Sequence, residues 1–106
     1  MSTPILITTT FENQQDAERL ARILLERRLA ACARISAVGK SMYWWQGRIS
    51  EAQEYELTLK STRELYPEIE ALIQVEHPYQ TPEIVATAFV AGSAAYIAWL
   101  EEELRQ

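Results

Sequence analysis

Met42-Tyr43-Trp44-Trp45-Gln46-Gly47-Arg48-Ile49-Ser50-Glu51-Ala52-Gln53-Glu54-Tyr55-Glu56-Leu57-Thr58-Leu59-Lys60 is the stretch on which the fold turns. Met42 to Trp45 is an aromatic strand, and Gln46-Gly47 supplies a turn. Beyond it Tyr55, Leu57 and Leu59 alternate with Glu54, Glu56, Thr58 and Lys60, the period of two that gives a strand one apolar and one polar face. Two long strands around one turn predict a hairpin that projects from the body of a 106-residue chain.

Upstream of the hairpin, Ala33, Ile35 and Ala37 alternate with Arg34 and Ser36, and Gly39 interrupts the run at a bulge. Nearer the N-terminus, Ile5-Leu6-Ile7-Thr8-Thr9-Thr10 is a β-branched run after Pro4 and reads as a buried strand. Asn13 is an N-cap with Asp16 in the first turn. Ala17, Leu20, Ala21 and Leu24 follow at helical spacing, and Arg27 and Arg28 fall in the last turn, where the helix dipole favours cations. Downstream, Ser61 and Glu64 match a capping box, although Pro67 favours a regular start at the proline itself. Leu65, Ile69, Leu72 and Ile73 form the stripe of that helix. His77-Pro78-Tyr79-Gln80-Thr81-Pro82 is a loop, because each proline drives its predecessor out of the helical region. Ile84 to Val90 reads as a strand, Gly92-Ser93 as a turn and cap, and a last helix turns Tyr96, Trp99, Leu100 and Leu104 inward.

The order β-α-β-β-α-β-α is that of an α+β, ferredoxin-like sandwich: one antiparallel sheet with two helices on one face and an additional C-terminal helix. Residues 1–106 form a single domain, and a chain this long buries roughly two-thirds of its extended surface on folding. The opposite sheet face has no partner within the chain, and the hairpin exposes Tyr43, Trp44 and Trp45. Both features predict oligomerisation, with cyclic closure hiding both surfaces.

Composition excludes several classes. Hydrophobic residues make up 48% and charged residues 24%, a globular balance. Net charge is −5, with ten basic residues scattered among fifteen acids, so neither nucleic acid nor an anionic membrane is an expected partner. The N-terminal residues Met1-Ser2-Thr3-Pro4 lack a basic leader region, and the longest strictly apolar run, Leu29 to Ala33, is far below the roughly 20 residues of a spanning helix. The single cysteine, Cys32, makes no intrachain disulfide, and the expected compartment is the cytoplasm.

Few residues carry recognisable chemistry. Cys32, flanked by Ala31 and Ala33, reads either as a small buried hydrophobe or as a soft thiolate ligand for copper or zinc. His77, the only histidine, sits beside Glu76 with Glu83 six residues on. It reads either as a loop histidine orienting its backbone or as a ligand for a divalent cation. One histidine and one cysteine do not complete a closed zinc site, and no CxxC, HxxxH or HExxH occurs. Tyr43, Trp44, Trp45 and Lys60 lie on the long strands, where they serve as interface packing or line a pocket for a small anion between subunits. No GxSxG, GxGxxG or P-loop is present, and no nucleophile–base pair can be named, so the chain is read as a non-enzyme without an organic cofactor.

Leu29-Ala30-Ala31-Cys32, Ser41-Met42-Tyr43-Trp44-Trp45-Gln46-Gly47, Glu76-His77-Pro78-Tyr79-Gln80-Thr81-Pro82-Glu83-Ile84 and Tyr96-Ile97-Ala98-Trp99-Leu100 occur in that order. Together, over essentially the whole chain, they resemble the CutA family of divalent-cation tolerance proteins. The resemblance implies a ferredoxin-like protomer, a homotrimer assembled like the PII signalling proteins with the hairpins knitting subunits together, and cytosolic binding of Cu2+ or another divalent cation. Cys32 matches the cysteine of the Leu-Ala-Ala-Cys motif and His77 the histidine of the His-Pro-Tyr motif. Glu76 stands where some members carry a second histidine, and Thr9 where some carry a cysteine. Two functions follow as expectations. One is metal-ion tolerance with His77, Cys32 and Glu76 as ligands. The other is a trimeric small-molecule or signalling module with intersubunit pockets lined by Tyr43, Trp44, Lys60, His77 and Tyr79.

Overall fold

A computed structural model of the chain describes residues 2–106; Met1, part of the N-terminal stretch read above, lies outside them. The elements are β1 (Pro4–Phe11), α1 (Gln14–Glu26), β2 (Cys32–Ile35), β3 (Gly39–Trp45), β4 (Arg48–Thr62), a 3-10 turn (Arg63–Leu65), α2 (Tyr66–Glu76), β5 (Val85–Ala88) and α3 (Ala94–Glu103). All strand pairs are antiparallel in the order β2-β4-β1-β5, and β3 pairs with the first half of β4. This is the α+β, ferredoxin-like arrangement with an added C-terminal helix that the element order predicts.

One strand organises the sheet. The fifteen residues of β4 pair first with β3 and then with β2 and β1. Ile35 faces Leu57, whereas Gly39 faces Glu54, so three residues of one strand oppose two of the other. The extra residue is a β-bulge in Ser36–Val38, just before the glycine that marks it in sequence. Ser36 closes it on both sides: its N–H donates to the Glu56 carbonyl at 2.9 Å, and its hydroxyl accepts the Glu56 N–H at 3.0 Å. The hairpin tip is a two-residue turn in which Gln46 and Gly47 have φ of 51° and 77°. Two central residues with positive φ define the turn whose twist matches that of the strands.

Residues directly opposed across the pairs share a face. Ile5, Ile7, Thr9, Phe11, Leu57, Leu59 and Ser61 form the inner face. They are buried under Ala17, Leu20, Ala21 and Leu24 of α1 and Ile69 and Ile73 of α2. Leu6, Thr8, Thr10, Thr58 and Lys60 form the outer face, which within one chain is only half covered. Asn13 caps α1 as its sequence indicates, accepting the Gln15 and Asp16 N–H groups, and Ser93 caps α3 by accepting that of Tyr96.

Four local expectations are corrected. Arg27 is the C-cap of α1 and Arg28 lies beyond it in the left-handed region (φ 56°), so neither is in the last helical turn. Ser61 does not cap α2. It ends in β4, where its buried hydroxyl donates to the Leu29 carbonyl, while Glu64 accepts the Thr3 N–H. The last strand is shorter than Ile84 to Val90 and spans only Val85–Ala88. In α3 only the Leu100 side chain is buried, with Leu104 at its cap; Tyr96 and Trp99 stay 36% and 40% exposed because α3 covers only one end of the outer face. No helix among the described residues is long and apolar enough to cross a membrane.

Candidate functional site

The site is built from the end of α2. Pro78 forces His77 out of the helix (ψ 136°), and the His77 N–H still donates to the Ile73 carbonyl at 2.8 Å. The imidazole then lies flat on Phe11, with ring centroids 4.1 Å apart and 13° between planes. Its Nε2 lies 2.8 Å from the Thr10 carbonyl, and its Nδ1 accepts the Tyr79 N–H at 3.1 Å. A ring nitrogen that accepts carries no proton, so the proton resides on Nε2, which donates to Thr10. Both nitrogens are thus engaged, and the ring is only 7% exposed. Burial holds its pKa below the ordinary 6.5, against the opposing pull of the Thr10 carbonyl and of the Asp16 and Glu54 carboxylates.

The next link is Tyr79. Its hydroxyl donates to Glu54 Oε2 at 2.7 Å, and the Thr10 hydroxyl donates to the same oxygen at 3.3 Å. Burial, reinforced by the Glu54 carboxylate, raises the phenol pKa well above 10 and keeps Tyr79 a neutral donor. His77 therefore positions Tyr79, and Tyr79 positions Glu54 at the root of the hairpin.

These groups border a groove of ≈ 730 Å³ between the hairpin, the end of β1 and the loop after α2. Four aromatic residues line it (Tyr43, Trp44, Trp45 and Tyr79), as do three carboxylates, Glu12, Glu54 and Glu83; none of its lining residues is Lys or Arg. Within one chain the lining therefore carries negative formal charge and none of the opposite sign.

The structure brings Tyr43, Trp44 and Tyr79 together at this groove and places Lys60 elsewhere. Lys60 Nζ donates to the Tyr96 hydroxyl at 2.9 Å, and the Cys32 sulfur lies 3.8 Å from the same oxygen. Cys32 and Lys60 face each other across β2 and β4, and Lys60 pairs with Leu6. Leu6 is four residues along β1 from Thr10, about 13 Å at the strand rise. Cys32 is thus half-exposed at one end of the sheet, and His77 is buried at the other. Glu76 turns away from both, pairing with Arg19 at 2.7 Å. Among the described residues no three His, Cys, Asp or Glu side chains stand close enough to share one ion. Within one chain, His77, Cys32 and Glu76 do not fit a copper shell.

Sequence reasoning missed Thr10, Glu12 and Glu54 as groove residues. Glu54 was visible only as a member of a polar strand face; its meeting with Thr10 and Tyr79 depends on the strand register and the bulge. Glu83 carried a signal, since it closes the loop motif that begins at His77.

Comparison with known proteins bears on the family and the fold. The family profile described as CutA1 divalent ion tolerance protein matches residues 5–103. The divalent-cation tolerance protein CutA of Thermus thermophilus is 37% identical over 97 residues, 92% of this chain and 94% of that protein. That of Pyrococcus horikoshii is 34% identical over 102 residues, 96% of this chain and 99% of that one. Among solved structures, CutA1 from a psychrotrophic Shewanella superimposes with a TM-score of 0.94 at 34% identity, covering 98% of this chain and 97% of its own. The Archaeoglobus fulgidus protein, described as a periplasmic divalent cation tolerance protein, does so with a TM-score of 0.92 at 33% identity, covering 96% of this chain and 99% of its own. With a profile match over nearly its full length and relatives above 30% identity over more than nine-tenths of it, this chain belongs to the CutA1 divalent ion tolerance protein family.

Proposed function

We propose that the chain acts in divalent-cation tolerance as a cytoplasmic homotrimer that binds rather than catalyses, and that it meets Cu2+ or another divalent cation at the acidic groove. One observation carries this reading: Glu12, Glu54 and Glu83 line a groove to which no basic residue contributes. Carboxylates are hard oxygen donors suited to divalent ions. Their separation favours an ion that keeps part of its water shell. His77 contributes as a positioning residue through Tyr79. A shell built instead on His77, Cys32 and Glu76 requires ligands from different protomers and the loss of one His77 hydrogen bond. The trimer is supported by the half-covered outer sheet face and by a hairpin on which Trp44 is 73% exposed.

Calorimetric titration with Cu2+ tests the reading. Glu54→Gln keeps the shape of the side chain and removes its charge, and should weaken binding clearly. Tyr79→Phe, which releases Glu54 while leaving His77 in place, should weaken it less. An isotherm unchanged in Glu54→Gln removes the groove from the mechanism. Loss of binding in Cys32→Ser with Glu54→Gln unaffected moves the ion to the intersubunit set. The size of the groove supports a second reading, small-molecule sensing, because volumes of roughly 300–1,000 Å³ are typical of small-molecule sites.

A further inference from the structure

α3 is fastened to the protomer differently from the other two helices. Leu20 and Leu24 of α1 and Ile69 and Ile73 of α2 belong to the core cluster, whereas the buried leucines of the last segment, Leu100 and Leu104, lie outside it. Residues 90–92, all exposed, join α3 to the strand before it. The Ser2 hydroxyl donates to the Glu101 carboxylate, and the remaining ties are polar and gather at the C-terminal end. Arg28 Nη1 donates to the Glu103 carbonyl and to Glu103 Oε2, each at 3.0 Å, and the Arg28 carbonyl accepts the Arg105 N–H at 2.8 Å. Arg105 forks onto both carboxylate oxygens of Glu68, in the first turn of α2. Arg28 and Glu68 stand at the ends of the helices on the inner face. Neither belongs to the hairpin or the outer sheet face, so these ties are clear of the surfaces that the assembly proposed above covers.

Arg28 is the unexpected residue. It lies just past α1 with φ of 56°, a position that glycine usually takes because a Cβ is strained there. A glycine would end α1 at least as well. What the arginine adds is the side chain that reaches Glu103. The Arg28, Glu103, Arg105 and Glu68 side chains are 62%, 40%, 47% and 48% exposed, so dissolved salt screens both pairs. A segment with few buried apolar groups and exposed polar ties is the kind that opens locally, ahead of the core.

We infer that α3 and the residues after it form a salt-sensitive strap that opens as a unit about residues 90–92 while the rest of the protomer stays folded, with the Arg28–Glu103 and Arg105–Glu68 pairs as its latch. This device is independent of the cation reading of the groove. Opening also reaches the other face of the sheet. α3 packs on β4, where the Tyr96 hydroxyl accepts from Lys60 Nζ at 2.9 Å and lies 3.8 Å from the Cys32 sulfur. A strap that lifts takes Tyr96 with it and leaves Lys60 without this partner. Among the described residues Lys60 belongs to no ion pair, so Tyr96 is what holds its ammonium in place. Ionic strength acting at the helix ends is thereby felt at the outer sheet face.

The test is hydrogen–deuterium exchange of the intact protein, read by mass spectrometry on peptides from α3, α1 and β4. In the wild type at low salt, α3 amides should exchange faster than those of β4. NaCl at about 1 M, which cuts the Debye length to about 3 Å, should speed α3 several-fold and leave β4 unchanged. The acceleration should include the amides around Ile97 as well as the last turn. Arg28→Gly discriminates best, because it relieves the left-handed backbone and removes the latch together. It should speed α3 about tenfold with α1 and β4 no faster than in the wild type. Glu103→Gln keeps the shape of the side chain and removes its charge, and should speed α3 while reducing its response to salt. An Arg28→Gly protein whose α3 exchanges as slowly as the wild type, or more slowly, means that the arginine only ends α1, and overturns the inference. So does α3 exchange at the β4 rate, which is global unfolding, and so does a salt response confined to the last turn, which is fraying.

Discussion

His77 shows how far one residue type can be read from sequence. A lone histidine beside a carboxylate suggests a ligand, yet here Phe11, the Thr10 carbonyl and the Tyr79 N–H occupy its face and both nitrogens. Protonation would put a hydrogen on Nδ1, opposite the hydrogen that Tyr79 already directs there. Burial first, with that clash beside it, makes the folded ring hold a proton less readily than the unfolded one, whose ordinary pKa is 6.5. Below that value the unfolded chain binds more protons, so the His77 contribution is complete above about pH 6.5 and is lost as pH falls toward the lower folded pKa. Thermal unfolding followed from pH 8 to 5 should show a Tm that drops more steeply for the wild type than for His77→Gln, which starts lower because it loses the stack; parallel profiles would contradict the assignment. Ser61 gives a second residue-scale expectation. Its hydroxyl and the Leu29 carbonyl it meets are both buried, so Ser61→Ala leaves an acceptor unpaired and should cost about 1–3 kcal/mol in urea unfolding. A loss near zero would mean that water reaches Leu29. Its sequence context, Ser-x-x-Glu, points to a cap instead, because local pattern contains no information about which carbonyl a neighbouring loop will bring to it.

At the scale of elements the legible part is the part with a period. The alternation in β1 and β4 and the helical spacing in α1 identify the core residues, because solvent sorts one face from the other along each element. Legibility fails where an element borrows its geometry from another. The bulge adds one residue between β2 and β3, so the phase read through Ala33, Ile35 and Ala37 does not carry across to Met42–Trp45. The aromatics and carboxylates of the groove meet only once that phase change is included, which is why the loop residue Tyr79 was recognisable and Glu54 was not. The hairpin tip shows a similar gap. Gln46 occupies a left-handed position (φ 51°) that side chains other than Asn, Asp and Gly adopt at a cost. Gln46→Asn should stabilise the turn by up to about 1 kcal/mol, read as a rise in Tm with the far-ultraviolet spectrum unchanged. A fall in Tm would show that the Gln46 side chain has a role at the tip beyond the turn itself.

The whole molecule is shaped by what a single chain leaves uncovered. The protomer extends over 44 × 26 × 23 Å, with the hairpin as an arm on which Met42, Trp44 and Ile49 are each more than three-fifths exposed. Trp44 and Ile49 are direct cross-strand neighbours, so their exposed surfaces form one continuous patch. Contiguous apolar area of this kind is rare on monomers, and its removal from water stabilises an assembly by about 25 cal/mol per Å². The outer face of the sheet adds to it, since α3 reaches only the Cys32–Lys60 end through Tyr96. In the homotrimer proposed above, cyclic closure would cover both surfaces at once without leaving an open end. Light scattering coupled to size exclusion should therefore give three times the protomer mass of 12.2 kDa at micromolar concentration. Trp44→Asp places a charge in the centre of the patch. It should yield monomer or aggregate, with Tm becoming dependent on protein concentration in the range where assembly persists. The inner core of the protomer does not include Trp44, so the variant should keep its secondary structure by circular dichroism. A wild-type species that stays at 12.2 kDa, or a Trp44→Asp protein that assembles as the wild type does, would mean that the hairpin serves a ligand rather than a neighbouring subunit.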